Sequence, residues 1–478
     1  MTTLLPAPTT DIAPAPDLGD ITGIDVVGAL PLAPLNPLPL RQRLAAVKTY
    51  HTGSEILRDA GGPVTRIILG PKWLMPPIVL ATSPQAIRDI LTIKDGTAEK
   101  SSPVFAEMRR IVGDNLADLP HQEWVPRRRT IQPVFTKQSV GRFATHMTAA
   151  AEHVSGQWGH DTEIDLDAEC RKLTLKALGL SVFGLDLDGS GEQVEEPLRT
   201  AMGYAVGRAL RPVRAPRWLP TAARRKARRA SAALHRLADD ILQACRQDPD
   251  RDAPLVHALL AAKDPVTGKA LSDREIRDEL IIFLFAGHDT VATTLTYALW
   301  QLGRHPEVQD RVLAEVSALG THPLGTADLP GLTYTKQVIQ EGLRLCPPAP
   351  TGTRLATRDL EVGGYRIEAG TTVAFGRMAV QRDPALWDNP LAFDPDRFGP
   401  EQSATRDRWQ YLPFGGGPRS CIGDHFAMLE ATLALATFIR TSEIRSLHDD
   451  FPVALHFTMT ADGPIPAQVR RRTLCSGS

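Results

Sequence analysis

The sequence predicts a mainly α-helical fold with a small β-sheet region. Three observations carry that reading. Apolar residues recur with helical periodicity from about 140 to 345. Near the N-terminus, Val64-Thr65-Arg66-Ile67-Ile68-Leu69 and Ile78-Val79-Leu80-Ala81 are β-branched runs bounded by Gly and Pro. Towards the other end, 359–381 and 452–470 carry strand and turn signals.

In chain order, residues 1–40 are rich in Pro, Ala and Leu, and form a Pro-rich lead-in expected to be extended and partly mobile. A secretory signal needs a positive start, yet the first basic residue is Arg41. No run of about 20 apolar residues occurs there or later, so no membrane span is expected. Residues 41–478 then read as a single domain. A short amphipathic helix and the two β-branched runs come first. Ser272-Asp273-Arg274-Glu275 is a capping box, in which Ser and Glu satisfy each other's free backbone N–H groups. It opens a helix that runs to Gly303, long enough to cross the middle of the fold. Another helix starts near Pro306. A further one ends at Cys346, because Pro347 and Pro348 forbid continuation. Residues 359–381 read as a hairpin turning at Gly363-Gly364 and Gly370, and a strand pair spans about 452–470. The sheet therefore draws on both ends of the chain.

The chain has 478 residues, 42% hydrophobic and 23% charged, enough for a sizeable core. Lys and Arg number 54 against 55 Asp and Glu, a balance that gives no global attraction to nucleic acid. The five cysteines are widely spaced and include no C-x-x-C. That pattern argues against a disulfide framework or structural zinc and for a reducing compartment. The densest charge run, Arg224-Arg225-Lys226-Ala227-Arg228-Arg229, reads first as a solvated helix face. Contact with a membrane surface or an acidic partner is the alternative.

The most informative segment is Phe414-Gly415-Gly416-Gly417-Pro418-Arg419-Ser420-Cys421-Ile422-Gly423, followed at once by an apolar helical run. It sets one cysteine at the mouth of a helix, where free N–H groups and partial positive charge favour a thiolate. The three glycines would let the backbone approach something flat and large. The plain alternative is a turn that buries an inert cysteine.

The spacing F-G-x-G-x-R-x-C-x-G resembles the haem-binding loop of the cytochrome P450 superfamily, with every fixed position filled. The resemblance implies a triangular α-rich prism enclosing haem b, with Cys421 as the axial ligand of the iron and Phe414, Arg419 and Gly423 beside the cofactor. Three further motifs agree. Glu341 and Arg344, three apart on the helix ending at Cys346, resemble the family's E-x-x-R. Arg397, in Phe393-Asp394-Pro395-Asp396-Arg397-Phe398, would complete a buried charge triad that holds the cysteine loop, with Asp396 where the family usually has Glu. Ala286-Gly287-His288-Asp289-Thr290, inside the long helix, resembles the oxygen-activation segment. There Ala286 and Gly287 would make room for dioxygen, Thr290 would hydrogen-bond the oxygen being activated, and Asp289 would relay protons. His288 should face away from the haem, since adjacent helix residues point about 100° apart. Trp124 and Arg128 match W-x-x-x-R, and with Arg354 and Arg419 they would hold the haem propionates. Arg127 and Arg129 are read as exposed, on a side that could dock an acidic electron carrier.

The implied activity is insertion of one atom of O2 into a hydrophobic small molecule, by hydroxylation or epoxidation. Electrons would come indirectly from NAD(P)H through a ferredoxin reductase and a ferredoxin or similar carrier, as no fused reductase is visible. By family position the substrate pocket includes Phe285, Ala286, Thr351, Phe457 and Thr458, with Ala349 to Gly352, Met459 and the loop 101–120. No nucleic acid is expected as a partner, and the implied protein is a cytoplasmic monomer of the bacterial style. A peroxygenase or isomerase of the same fold is the rival function, as is a haem-based sensor. Retention of Asp289 and Thr290 favours the monooxygenase.

Overall fold

The computed structural model describes residues 27–472, apart from 74, 186–190, 210, 212–214, 217 and 456. Cys475 and most of the Pro-rich lead-in lie outside the described residues. The lead-in does not stay apart from the fold up to residue 40. Leu32 and Leu35 form isolated bridges to Arg366 and Arg66, and Ala33 and Asn36 are buried. The Asn36 amide donates to the Leu57 carbonyl at 2.8 Å, which ties this stretch to the first helices. Those are two, Leu40–Lys48 and Tyr50–Gly61, where the sequence reading had one.

The helix Asp273–Leu302 crosses the middle as expected. Ser272 and Glu275 form the reciprocal capping box, and Gly303 is its C-cap. It packs against helices Leu166–Leu178, Ala222–Gln247, Thr333–Leu345 and Asp424–Thr441. Leu280, Ala292, Leu295, Ala298, Leu299 and Leu302 are fully buried along it, so one element serves as the hub of the main core. Among the described residues it alone is long and apolar enough to cross a membrane, and 72% of its apolar window is buried inside the protein.

The largest sheet has five strands in the order Val64–Ile67, Ile78–Ala81, Thr372–Gly376, Thr351–Ala356, Ala98–Glu99. The one parallel pairing joins Ile78–Ala81 to Thr372–Gly376. The sheet thus combines the N-terminal region with residues 351–376. Within 359–381 only Leu360–Val362 and Tyr365–Ile367 form the hairpin; Thr372–Gly376 enters the main sheet and Arg377–Gln381 is helical. The expected strand pair near 452–470 divides similarly. Val453–Leu455 and Met459–Ala461 pair with each other, while Pro466–Arg471 pairs with Thr162–Asp165 and Ser442–Ser446.

Candidate active site

The centre of the molecule holds a cavity of about 600 Å³, walled by the central helix, the five-stranded sheet and the cysteine loop. Cys421 is on its wall, so its exposed surface faces the cavity and not bulk solvent. The loop is fixed by its own backbone: Cys421 N–H donates to the Phe414 carbonyl at 2.9 Å, and Gly415 N–H to the Leu412 carbonyl at 3.0 Å. The glycines answer to protein neighbours. A Cβ on Gly417 would stand 1.9 Å from the Leu91 carbonyl oxygen, and one on Gly416 would stand 2.6 Å from the Trp409 ring. Gly415 and Gly417 have φ of 71° and 68°, which disfavours any side chain. Gly423 differs, since a Cβ there would meet no protein atom within 4 Å.

The expected thiolate is not favoured by the protein alone. Burial pushes the Cys421 thiol up, while the Gly423 N–H and the charges of Arg128 and Lys100 pull it down. Asp424, in the first turn of helix Asp424–Thr441, offsets the helix terminus. A cation facing the sulfur is what would reverse the balance.

Behind the loop, Glu341 and Arg344 are fully buried and paired by two hydrogen bonds of 2.7 and 2.8 Å. Arg397 Nε stands 3.5 Å from Glu341 Oε1, and its Nη2 donates to the Asn389 carbonyl. Asp396 lies apart and pairs with Arg311. Arg344 also donates to the carbonyls of Gln381, Pro390 and Ala392. Sequence reasoning missed Gln381. Its amide donates to the Leu343 and Arg344 carbonyls and its oxygen accepts from Leu412 N–H at 2.8 Å. Gln381 therefore links the charge pair to the strand of backbone that enters the cysteine loop.

One end of the cavity is cationic. Arg128, Arg354 and Arg419 line it as expected, and Lys100 and Arg377 join them unannounced by any motif. Burial, then Arg419 and Arg377, push Arg354 down to about 9. Burial, then Arg354 and Arg419, push Lys100 down to about 7. Burial likewise lowers Arg377 and Arg419 to about 10. Protein partners are mostly neutral: Arg377 donates to the Ala349 and Thr351 carbonyls, Arg128 to Ser420, Arg419 to Leu119 and Lys100 to Ala117. Of these five cations, Arg419 alone has an ion pair among the described residues, to Glu99 at 3.7 Å. Trp124 supports the group, with the Arg419 guanidinium 4.2 Å from its ring centre. Arg127 and Arg129 are not part of a docking face. Arg127 is buried against Glu275 and Glu279 at 2.6 and 2.7 Å, and Arg129 forks onto Asp264.

On the central helix, Ala286, Gly287 and Thr290 line the cavity. Gly287 has a packing reason, since a Cβ would meet Leu178 at 3.0 Å. Thr290 Oγ1 donates to the Ala286 carbonyl at 2.6 Å. Asp289 points elsewhere, onto Arg171 at 2.8 Å, which also holds Asp167. His288 is buried, with Nδ1 2.9 Å from the Thr174 hydroxyl, away from the cavity as expected.

The remaining wall is apolar. Thr351, Phe457 and Thr458 line it with Ala349, Pro350 and Gly352. Phe285 and Met459 do not. Phe285 lies behind Phe457, ring centres 5.4 Å apart. The expected 101–120 loop is largely the helix Pro103–Val112, which contributes Val104 and Phe105. Phe105 meets Phe457 edge to face at 6.2 Å.

Comparison with known proteins agrees with this arrangement. The cytochrome P450 family model matches residues 33–469. Cyclooctatin synthase of Streptomyces melanosporofaciens is 34% identical over 86% of this chain and 87% of its own. Pentalenene oxygenase of Streptomyces avermitilis is 33% identical over 80% of this chain and 84% of its own. The crystal structure of the cytochrome P450DA heme domain superposes with a TM-score of 0.80 at 25% identity, covering 93% of this chain and 98% of that one. The chain belongs to the cytochrome P450 family: it has the P450 fold and is a haem monooxygenase, an oxidoreductase whose reaction takes O2, a small-molecule substrate and a redox partner.

Proposed function

We propose that this monooxygenase oxygenates a terpenoid or a similarly hydrophobic small molecule, with NAD(P)H electrons arriving through a ferredoxin reductase and a ferredoxin. The observation that carries the reading is the single cavity wall shared by Cys421, a cationic end and an aromatic-aliphatic remainder. The names of the Streptomyces relatives, among them cyclooctat-9-en-7-ol 5-monooxygenase, support the substrate class.

The donor set suits haem b. Buried Lys100, Arg354, Arg377 and Arg419 crowd together with one carboxylate between them, a charge excess that two propionates would neutralise. The Cys421 sulfur faces the same cavity, and the missing side chain of Gly423 leaves room on its wall. When bound through a cysteine thiolate, haem supplies the electron push that activates dioxygen. Cys421 would be that ligand, with Phe414, Trp124 and Arg128 beside it. Thr290 offers the one hydroxyl of the segment that both lines the cavity and adjoins the acid Asp289. The two side chains point about 100° apart, so a proton passing from Asp289 to Thr290 Oγ1 needs a side-chain rotation or a bridging water. Phe105 and Phe457 exclude water and orient the substrate.

Glu341, Arg344 and Arg397 position the cysteine loop and do no chemistry. The protein works as one haem-enclosing domain, a monomer in the cytoplasm. The wide cysteine spacing, with no C-x-x-C, supports that compartment.

Reduced protein under carbon monoxide should show the long-wavelength band of sulfur coordination, and Cys421→Ala should abolish it. Titration with a terpenoid and fatty-acid library should shift the spin state for terpenoids. Thr290→Ala should lower product formed per NAD(P)H about tenfold or more. Full coupling without that hydroxyl would overturn its role.

A further inference from the structure

A second cavity, of about 280 Å³, opens where helices Pro103–Val112, Gly191–Ala209 and Ala222–Gln247 pack on one another. Its lining is unlike that of the main cavity. Arg110, Arg208, Arg224 and Arg228 face it, with Glu107 as the one carboxylate among them. Glu107 is shared between Arg110 at 2.9 Å and Arg208 at 3.3 Å. Arg224 belongs to this cavity and not to the solvated face read from the sequence, for it is buried. It donates to the Tyr204 hydroxyl at 3.1 Å and to the carbonyls of Ala215, Pro216 and Leu219, all of them uncharged. Arg228 is exposed and has no ion pair among the described residues. The surrounding chain offers no second acid. Residues 197–238 contain no Asp or Glu, and Glu107 is the only one in 103–112.

Four guanidinium groups around one carboxylate repel one another, and those held out of bulk water are costly to leave uncompensated. The side chain of Arg208 is 11% exposed and that of Glu107 is 7% exposed. An anion entering the cavity offsets that cost. Guanidinium forks match phosphoryl oxygens two at a time, and here they come from three helices, hence from different directions. A planar carboxylate presents one edge and meets one fork, whereas a tetrahedral phosphoryl group meets several. Tyr204 adds a hydroxyl whose oxygen accepts from Arg224 and whose hydrogen has no acceptor among the described residues. Ser231 is committed elsewhere, donating to the Ile111 carbonyl at 2.6 Å.

We propose that this cavity binds a small phosphoryl anion as an effector, either inorganic phosphate or diphosphate or the head of a phosphate ester. The helices that line it also wall the main cavity: Pro103–Val112 through Val104 and Phe105, and Gly191–Ala209 through Val206. An anion gripped by Arg110, Arg208 and Arg228 ties each of these helices to the next and steadies that wall. By linkage, an apolar substrate that favours the steadied wall and the anion strengthen each other's binding by the same factor. Anion binding is independent of the oxygenation reading; its effect on substrate rests on it.

The test is calorimetric titration of the full-length, haem-loaded protein with inorganic diphosphate, at constant ionic strength in a phosphate-free buffer. One saturable site is expected, with acetate giving none. Arg228→Glu should weaken it about 100-fold and Tyr204→Phe about tenfold. Both should retain the carbon-monoxide band, which reports the fold separately. Geranyl diphosphate identifies the source: binding tighter than that of inorganic diphosphate marks an ester, weaker binding marks the free ion, and either supports the site. Hydrogen exchange in Pro103–Val112 should slow with diphosphate whether or not a terpenoid shifts the spin state, so this proposal and the oxygenation reading fail separately. Absence of a saturable site, equal binding of acetate, affinity unmoved by the variants, or exchange unmoved by bound diphosphate would overturn the proposal.

Discussion

Gly417 and Gly423 stand six residues apart and exclude a side chain for different reasons. At Gly417 a methyl group would collide with a backbone oxygen that cannot move aside, in a backbone with φ of 68°. Strain of this kind costs about 1–2 kcal/mol before the clash is counted. Gly417→Ala should therefore lower the thermal midpoint by several degrees and remove haem together. At Gly423 nothing in the protein opposes a methyl group, and φ is −95°. Gly423→Ala should keep the fold and lose haem affinity, read as haem content against melting temperature. If it retains full haem, Gly423 does not border the cofactor. The residues that carry a motif were legible in the sequence: Cys421, Glu341, Arg344, Thr290 and Trp124 fall within fixed spacings. Lys100 and Arg377 were not, because a lone cation carries no spacing. Arg377 reaches the site only because strands Thr351–Ala356 and Thr372–Gly376 pair Thr351 with Gly376 next to it.

Among elements, the short helix Arg377–Gln381 shows how a loop can be held from a distance. Gln381 spends three hydrogen bonds joining helix Thr333–Leu345 to Leu412, the approach to the cysteine loop. Gln381→Leu would leave the buried Leu412 N–H and two carbonyls short of a partner, at about 1–3 kcal/mol for each group left unsatisfied. Arg344→Ala would leave buried Glu341 with only the longer Arg397 contact and the Asp394 N–H, costing up to about 3–5 kcal/mol. Both should yield protein with little haem, Arg344→Ala the more severely. Supplementing growth with a haem precursor should rescue Gln381→Leu in part and Arg344→Ala not at all. Haem retained fully by Gln381→Leu would remove this route. The sequence announces the central helix through its capping box and the Thr333–Leu345 helix through its Pro-Pro stop, since both signals are local. The segment 359–381 was misread because pairing to Ile78–Ala81 lies some 290 residues away in the chain, and turn chemistry alone cannot specify it.

Across the whole molecule, the layers around the central helix are joined by buried and half-buried ion pairs between distant parts of the chain. Arg127 reaches Glu275 and Glu279, and Arg171 reaches Asp289. Three basic neighbours in a row made Arg127 look solvent-facing; its partners are some 150 residues further on, beyond any local pattern. These joints have a pH signature. Burial raises Glu279 to about 7 despite the opposing charge of Arg127, and raises Asp118 to about 6. In the unfolded chain both titrate near ordinary carboxylate values, about 4. Between pH 4.5 and 7 the folded protein therefore holds protons that the unfolded chain has released. The contribution of these two groups to stability therefore falls as pH rises, up to about 6 for Asp118 and about 7 for Glu279, by up to about 1.4 kcal/mol per pH unit for each, while His51 and His288, lowered by burial, act in the opposite sense. Glu279→Gln removes one of the two groups while keeping the volume and a hydrogen-bond acceptor for Arg127. Urea unfolding at pH 5, 6 and 7, followed by helical circular dichroism, should give a shallower decline for the variant than for the parent. Equal slopes would mean that the Arg127 charge outweighs burial and keeps Glu279 ionised throughout, making the joint an ion pair and not a proton store.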